Sequence, residues 1–378
     1  MNDTVRQDII ARTHTAVIKV GTSVLAGATG ELDRGRIQSL ADQIHRLRES
    51  GRKVVLVTSG AIGAGVGKLG LERRPADLPH LQACAAVGQA ALMHLYQESL
   101  SAHGVQTAQI LLTAGDFDSR ARYLNARNTI RTLFEYGALP IINENDTVSV
   151  AEIKFGDNDH LAAMVTNLLS APLLVLLTNV NGLYSDDPVT HPDARLLATV
   201  PSIDKSVTDL AAATQSVLGS GGMRSKLRAA RLATAAGEAV IIANGGHEGI
   251  IDRIFAAEPV GTLFLPHGED VPAWKRWLGF TARPKGKLQV DAGARRALIE
   301  QGKSLLPVGV TMVEGLFGKG DVVSICDADG MEIARGLTNY SSEDAIRLRG
   351  KAREQIASLL GSVPYPELVH RDNLVIVG

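Results

Sequence analysis

The stretch VVLVTSGAIGAGVGKLG, residues 54–70, decides the fold class. Its apolar run reads as a buried strand, and Ser59 and Gly60 open a glycine-rich turn. Gly65, Gly67 and Gly70 satisfy the pattern GxGxxG, but a dinucleotide-binding fold needs a second strand ending in an acid ~20 residues later. The chain there reads LQACAAVGQAALMHL, residues 81–95, which has the pattern of a helix. Lys68 is followed by Leu69 and the glycine spacing is short, so a Walker A loop is excluded as well. What remains is a strand followed by Ser59 and by backbone N–H groups able to hold an anion. Glycines in such a run also let a helix pack closely, and at this point both readings stay open.

Working outward, short apolar runs alternate with segments of helical period. AVIKV (16–20) precedes DRGRIQSLADQIHRLRESG (33–51), and beyond the opening stretch come a helix near 79–103, QTAQILL (106–112), a helix near 120–136 and ALPII (138–142). The alternation continues with a helix from about 157, LLVLLT (173–178), a helix from about 222 to Gly237, and AVIIA (239–243). That order predicts an α/β fold, a doubly wound, mainly parallel sheet sandwiched by helices, closing near Leu265. In the first of these helices Ile37, Leu40, Ile44 and Leu47 follow 3-4-3 spacing, Asp33 is placed to cap the start, and Gly51 to stop it.

A chain of 378 residues exceeds what one core supports, so a second domain is expected. Residues 266–280 carry Pro266, Pro272 and both tryptophans and read as a linker. From 281 to 378, glycines at 286, 293, 302, 309, 315, 320, 330 and 336 punctuate β-rich runs, the pattern of a small β-barrel followed by a tail.

Composition narrows the partners. With 39 Lys and Arg against 40 Asp and Glu, the net charge of −1 draws the chain to neither nucleic acid nor membrane, and 4% aromatic residues argues against base-stacking platforms. A small-molecule partner is expected. Cys84 and Cys326 are too few for a disulfide framework or metal cage, and the longest apolar run, LLSAPLLVLL (168–177), is too short to span a bilayer. The N-terminus lacks a signal-like apolar region, so the expectation is a cytoplasmic protein.

Four polar constellations fall behind different strands, where the carboxyl ends of an open sheet share one crevice. Lys19 in VIKVGTS sits one residue short of a strand end and is costly there unless it meets an anion, although a lysine on an edge strand could snorkel. Asn143, Glu144, Asn145 and Asp146 crowd the mouth of another strand, and Asp157, Asn158 and Asp159 open a helix whose N-cap would explain one of the three but does not need all three. In GSGGMRSKLRAA, Gly221 and Gly222 precede a helix carrying Lys226, a second phosphate cradle. Lysines, glycine turns, acids and amides in one crevice suit phosphoryl transfer, which depends on positioning and charge neutralisation.

The motifs VIKVGTSVL, LVTSGAIGAG, PIINENDTV, FGDND, LLTNVNGLYSDDP and GSGGMRSKL together resemble the amino acid kinase family across about residues 15–265, and within it the members that phosphorylate the side-chain carboxylate of glutamate for proline synthesis. Residues 281–356 resemble a PUA domain. The resemblance implies that Lys19 and Lys226 contact the transferring phosphoryl group and that Asp159 holds them, these three being the catalytic residues. It implies that Ser59, Asp146 and Asn158 bind glutamate. ATP would meet Lys19, Thr178, Asn179 and the run Ser220, Gly221, Gly222, Met223, Arg224, Ser225 and Lys226, with Mg2+ held mainly by the nucleotide phosphates and no metal site in the protein. Asn179 departs from the family pattern, which has Asp there. Proline as feedback inhibitor, a glutamyl phosphate reductase as partner and a homo-oligomer are further implications. Asp146 is the natural partner of the substrate ammonium, and a glutamate carboxylate of pKa ~4.3 is already ionised at neutral pH, so no general base is required. Two alternatives remain: a kinase of this family acting on another acid such as aspartate or N-acetylglutamate, and an RNA-binding protein acting through the PUA-like segment. The latter is weakened by a balance of only +2 over residues 281–356, from 12 Lys and Arg against 10 Asp and Glu.

Overall fold

The computed structural model describes residues 2–27, 31–148, 158–213, 222–267, 277–352 and 365–377, together with 275 and 355. The chain divides into two units, one of Met1–Asp116 with Ala121–Asp270 and the other of Phe117–Arg120 with Val271–Gly378.

The first unit is built on eight strands, β1 (Thr15–Val20), β2 (Lys53–Thr58), β3 (Thr107–Leu112), β4 (Leu139–Glu144), β5 (Leu173–Thr178), β6 (Thr199–Val200), β7 (Ala239–Asn244) and β8 (Thr262–Phe264). They lie in the order β3-β4-β2-β1-β5-β7-β8-β6, and every neighbouring pair is parallel except β7 with β8. Strands β1, β4 and β5 are buried along all six residues, which is why they read as continuous apolar runs rather than alternating ones. β3 at the sheet edge is only half-buried.

The helices follow their sequence signals. Arg34–Glu49 buries Ile37, Leu40, Ile44 and Leu47 against the sheet, Asp33 accepts a hydrogen bond from Arg36 N, and Gly51 past its end has φ +87°. Asp77 caps the long helix Leu78–Ser101 by accepting from His80 N. Residues 61–68 of the opening stretch form a short helix, and Gly65 within it serves close packing. A Cβ on Gly65 would come within 1.8 Å of Cys84 O, and one on Gly88 within 1.8 Å of Ala61 O, so these two helices cross backbone to backbone. The core of the unit gathers Ile18, Ile44, Leu56, Leu92, Tyr96, Val175 and Ile241. β1 is flanked by β2 on one side and β5 on the other, so the chain reverses its direction of winding there and the crevice opens at the carboxyl end of β1.

The second unit carries a five-stranded sheet of β9 (Gly286–Val290), β10 (Val310–Gly315), β11 (Val322–Cys326), β12 (Glu332–Thr338) and β13 (Val369–Ile376), in the order β10-β9-β11-β12-β13. Only β9 and β11 pair in parallel. Leu288, Val323, Ile325, Ile333, Leu348, Leu368 and Val369 form its core. Trp277–Thr281 is a π-helical turn of this unit, and Trp277 and Leu278 are buried. Cys84 and Cys326 are both buried free thiols. No helix among the described residues is long and apolar enough to cross a membrane.

Candidate active site

Lys19 lies in β1 between Ile18 and Val20, with its ammonium turned to the carboxyl end of the sheet, where a Cβ on Gly21 would be 3.6 Å from Nζ. Asp159 stands in the first turn of the helix Asn158–Leu169, and Lys226 in the first turns of the helix Met223–Ala235. The three meet. Lys19 Nζ is 2.6 Å from Asp159 Oδ1, and Lys226 Nζ donates to Oδ2 at 3.0 Å. All three side chains are buried, Asp159 to 1% exposure and each lysine to 7%. Burial alone would raise the Asp159 carboxyl, but the ammonium groups of Lys19 and then Lys226 hold it at about 2. Two cations share the Asp159 carboxylate in a buried setting, an arrangement suited to meeting a further anion.

A second cluster stands one residue away. Asn158 Nδ2 lies 2.6 Å from Thr58 O, 3.0 Å from Ser59 Oγ and 2.8 Å from Asn143 Oδ1. Asn143 Oδ1 also accepts from Glu144 N at 2.9 Å, while Asn143 Nδ2 donates to Gln89 Oε1 at 2.8 Å. Thr58 is held from the other side by its hydroxyl, 2.9 Å from the Tyr96 hydroxyl. Because Asn158 and Asp159 are consecutive in a helical turn, the amide cluster and the charged cluster are neighbours by covalent geometry. Asp146, two residues past β4, is half-buried in the turn that follows it.

Around the other side of β1, Thr178 ends β5 buried, and its hydroxyl donates to the exposed Asn179 at 3.3 Å. β7 ends in register with it at Asn244, whose Nδ2 donates to Asn181 Oδ1 at 3.0 Å. Gly222 caps the helix of Lys226 in extended backbone, Met223 is half-buried and Arg224 is exposed. Ser220, Gly221 and Asp157 lie outside the described residues.

The structure therefore gathers Lys19, Asp159 and Lys226 in one contact cluster and Ser59 and Asn158 in the adjoining one. Ser225 stands in the first turn of the helix Met223–Ala235. Its hydroxyl lies 3.0 Å from Asp159 Oδ2 and 3.0 Å from Gly222 O, so it braces the carboxylate and the helix start. Sequence reasoning did not single out Gln89, Asn181 or Asn244. Asn244 carried a signal, since it directly follows the apolar run AVIIA; Gln89 carried none, being one polar residue on a helix. Among the described residues no group of three or more His, Cys, Asp or Glu is placed to hold a metal ion.

Residues 14–244 match the amino acid kinase family and residues 286–360 match the PUA domain. The chain is 47% identical over 369 residues to a glutamate 5-kinase of Moorella thermoacetica, covering 98% of both chains. It is 46% identical over 372 residues to a glutamate 5-kinase of Geobacter sulfurreducens, covering 98% of this chain and all of that one. A third glutamate 5-kinase, from Thioalkalivibrio sulfidiphilus, is 47% identical over 361 residues, 96% of each chain.

Proposed function

The chain belongs to the amino acid kinase family, and on that premise we propose that it transfers the γ-phosphoryl group of ATP to the side-chain carboxylate of L-glutamate, giving L-glutamyl 5-phosphate and ADP, the first step of proline synthesis. Full-length similarity to glutamate 5-kinases supports the substrate. The observation that carries the chemistry is the Asp159 carboxylate shared by two buried ammonium groups beside an amide cluster.

The transferring group bears its negative charge on equatorial oxygens and needs cations fixed before it arrives. Lys19 and Lys226 supply them. Asp159, ionised across the physiological range, fixes their position without cancelling both charges. A carboxylate oxygen of glutamate forms the new bond to the γ-phosphorus as the bond to the ADP oxygen breaks, and the electron pair leaves with ADP. The attacking oxygen carries no proton at neutral pH, so none has to be removed. On the amino acid side, Asp146 pairs with the α-ammonium, and Ser59 and Asn158 orient the substrate. Thr178, Asn179 and the Gly222–Lys226 segment line the nucleotide side. Mg2+ carried on the nucleotide phosphates adds charge neutralisation when bound.

Proline keeps the α-carboxylate and a cationic amine but has no side-chain carboxylate to reach the phosphoryl group, so we propose that it competes with glutamate. A glutamate titration at several proline concentrations reads this: a raised KM with unchanged maximal rate is expected, and inhibition undiminished at saturating glutamate contradicts it. The acyl phosphate product is labile, so a reductase that consumes it is the expected partner, in the cytoplasm. A homo-oligomer is expected as well. The test of the reaction is ATP-dependent formation of hydroxamate in the presence of hydroxylamine, with glutamate, aspartate and N-acetylglutamate compared. Glutamate is expected to dominate; equal or greater product from either other acid overturns the assignment.

A further inference from the structure

Four polar side chains from separate elements form a hydrogen-bonded chain, buried at its centre and half-buried at its ends: Gln89 on the long helix, Asn143 in β4, Asn158 at the start of its helix, and Ser59 after β2. The oxygen and nitrogen of an amide have nearly the same shape, so the direction of such a chain follows from partners whose role is fixed by chemistry. Two backbone groups fix it here. Thr58 O can only accept, and it lies 2.6 Å from the Asn158 amide, so nitrogen must face it. Glu144 N–H can only donate, and it lies 2.9 Å from the Asn143 amide, so oxygen must face that. The same Asn143 oxygen accepts from Asn158 Nδ2, and the Asn143 nitrogen is then directed at Gln89, whose oxygen accepts it at 2.8 Å.

The opposite end of the Gln89 amide gains nothing from this arrangement. Its Nε2 is buried with no partner among the described residues, a cost of roughly 1–3 kcal/mol that an apolar side chain would not carry. Stability of the helix does not account for a glutamine at this position. Its acceptor oxygen does, because without it the Asn143 nitrogen, on a residue with 2% exposure, has no acceptor and the side chain loses its anchor. With both hydrogens of Asn158 Nδ2 directed inward, Oδ1 is the polar atom that Asn158 has left to offer, and it accepts no hydrogen bond from the described residues. An oxygen in that position takes a donor, and the donor on an amino acid is its α-ammonium.

We propose that Gln89 is a positioning residue which, through Asn143, holds the Asn158 amide with its oxygen toward the bound amino acid, so that the site selects a substrate bearing an α-ammonium. This rests on the glutamate reading above. The probe is glutarate, which keeps both carboxylates of glutamate and lacks the amine. In the purified full-length protein, ATP-dependent hydroxamate formation is measured with both acids for the wild type, Gln89→Met and Gln89→Glu, along with the KM for ATP.

Gln89→Met is expected to raise the KM for glutamate about tenfold, the scale of one hydrogen bond, with kcat and the KM for ATP within about twofold. Its preference for glutamate over glutarate should fall by a similar factor, since glutarate has no ammonium to misplace. Gln89→Glu keeps an acceptor facing Asn143 and should retain the preference. Should Gln89→Met fail to fold, Gln89→Asn, whose shorter side chain withdraws the acceptor, carries the same expectation. An unchanged preference in the variant lacking the acceptor, or equal losses on both acids, overturns the proposal. Absence of product from glutamate in the wild type overturns instead the substrate reading on which it rests.

Discussion

Asp159 carries two buried ammonium groups on one carboxylate, and its depressed pKa is a statement about stability. The folded value of about 2 lies below the ordinary 3.8, so the charged form is favoured by folding. The stabilisation, on the order of 2 kcal/mol, is fully present above about pH 4 and is lost as pH falls through 2. Asp159→Asn removes the carboxylate that Lys19 and Lys226 share, a change that costs roughly 3–5 kcal/mol when a buried pair loses one partner. Denaturant unfolding should show that gap at pH 7 and a narrowing of it as the wild type is acidified. A variant as stable as the wild type at neutral pH would mean that the lysines are not held by this carboxylate. Lys19 and Lys226 were legible in the sequence because a lysine within a buried strand or behind a double glycine has few reasons to be there. Gln89 was not legible, and neither was the contact of Ser225 with Asp159, since they depend on neighbours 54 and 66 positions away.

At the scale of elements, the crossing of the Leu78–Ser101 helix over helix 61–68 sets where Ser59 and Thr58 stand. A Cβ on Gly88 would lie 1.8 Å from Ala61 O and 2.3 Å from Gly65 N, both backbone atoms that cannot turn aside. Gly88→Ala therefore separates the two helices, and should cost about 3 kcal/mol or more while raising the KM for glutamate, because Ala61 follows the turn that carries Ser59. Gly67→Ala on the same short helix is the control. Among the described residues, the Glu31 side chain is what lies within 4 Å of its added Cβ, at 3.7 Å, and alanine favours a helix by about 1 kcal/mol. Thermal unfolding of both variants checks the contrast; equal effects would contradict it. The strands and the amphipathic helix Arg34–Glu49 were readable from period and caps. The short helix 61–68 was not, because glycines that permit a backbone crossing and glycines that open an anion loop leave the same letters in a sequence.

For the whole molecule, every residue assigned to the chemistry precedes Pro266, whereas Phe117–Arg120 belongs to the second unit. There Trp277 Nε1 donates to Phe117 O at 2.7 Å, Arg283 N donates to Asp118 Oδ1 at 2.9 Å, and Phe117 is buried. A chain ending at Pro266 strips these partners and should still phosphorylate glutamate, with a melting temperature lowered by several degrees, as a cost of about 2 kcal/mol brings. A folded but inactive fragment would place part of the chemistry in the second unit. In the full chain, the proposed assignment puts phosphoryl transfer and amino acid recognition in adjoining clusters that can be separated by substitution. Titration calorimetry of glutamate against Lys226→Ala, run beside its turnover, tests this most directly, with Asp146→Ala as the converse. The expected result is a fall in turnover of ~100-fold or more for Lys226→Ala with glutamate affinity within about threefold of the wild type, and for Asp146→Ala a loss of affinity of about 2 kcal/mol. Loss of glutamate binding in Lys226→Ala, in step with its loss of turnover, would contradict the account.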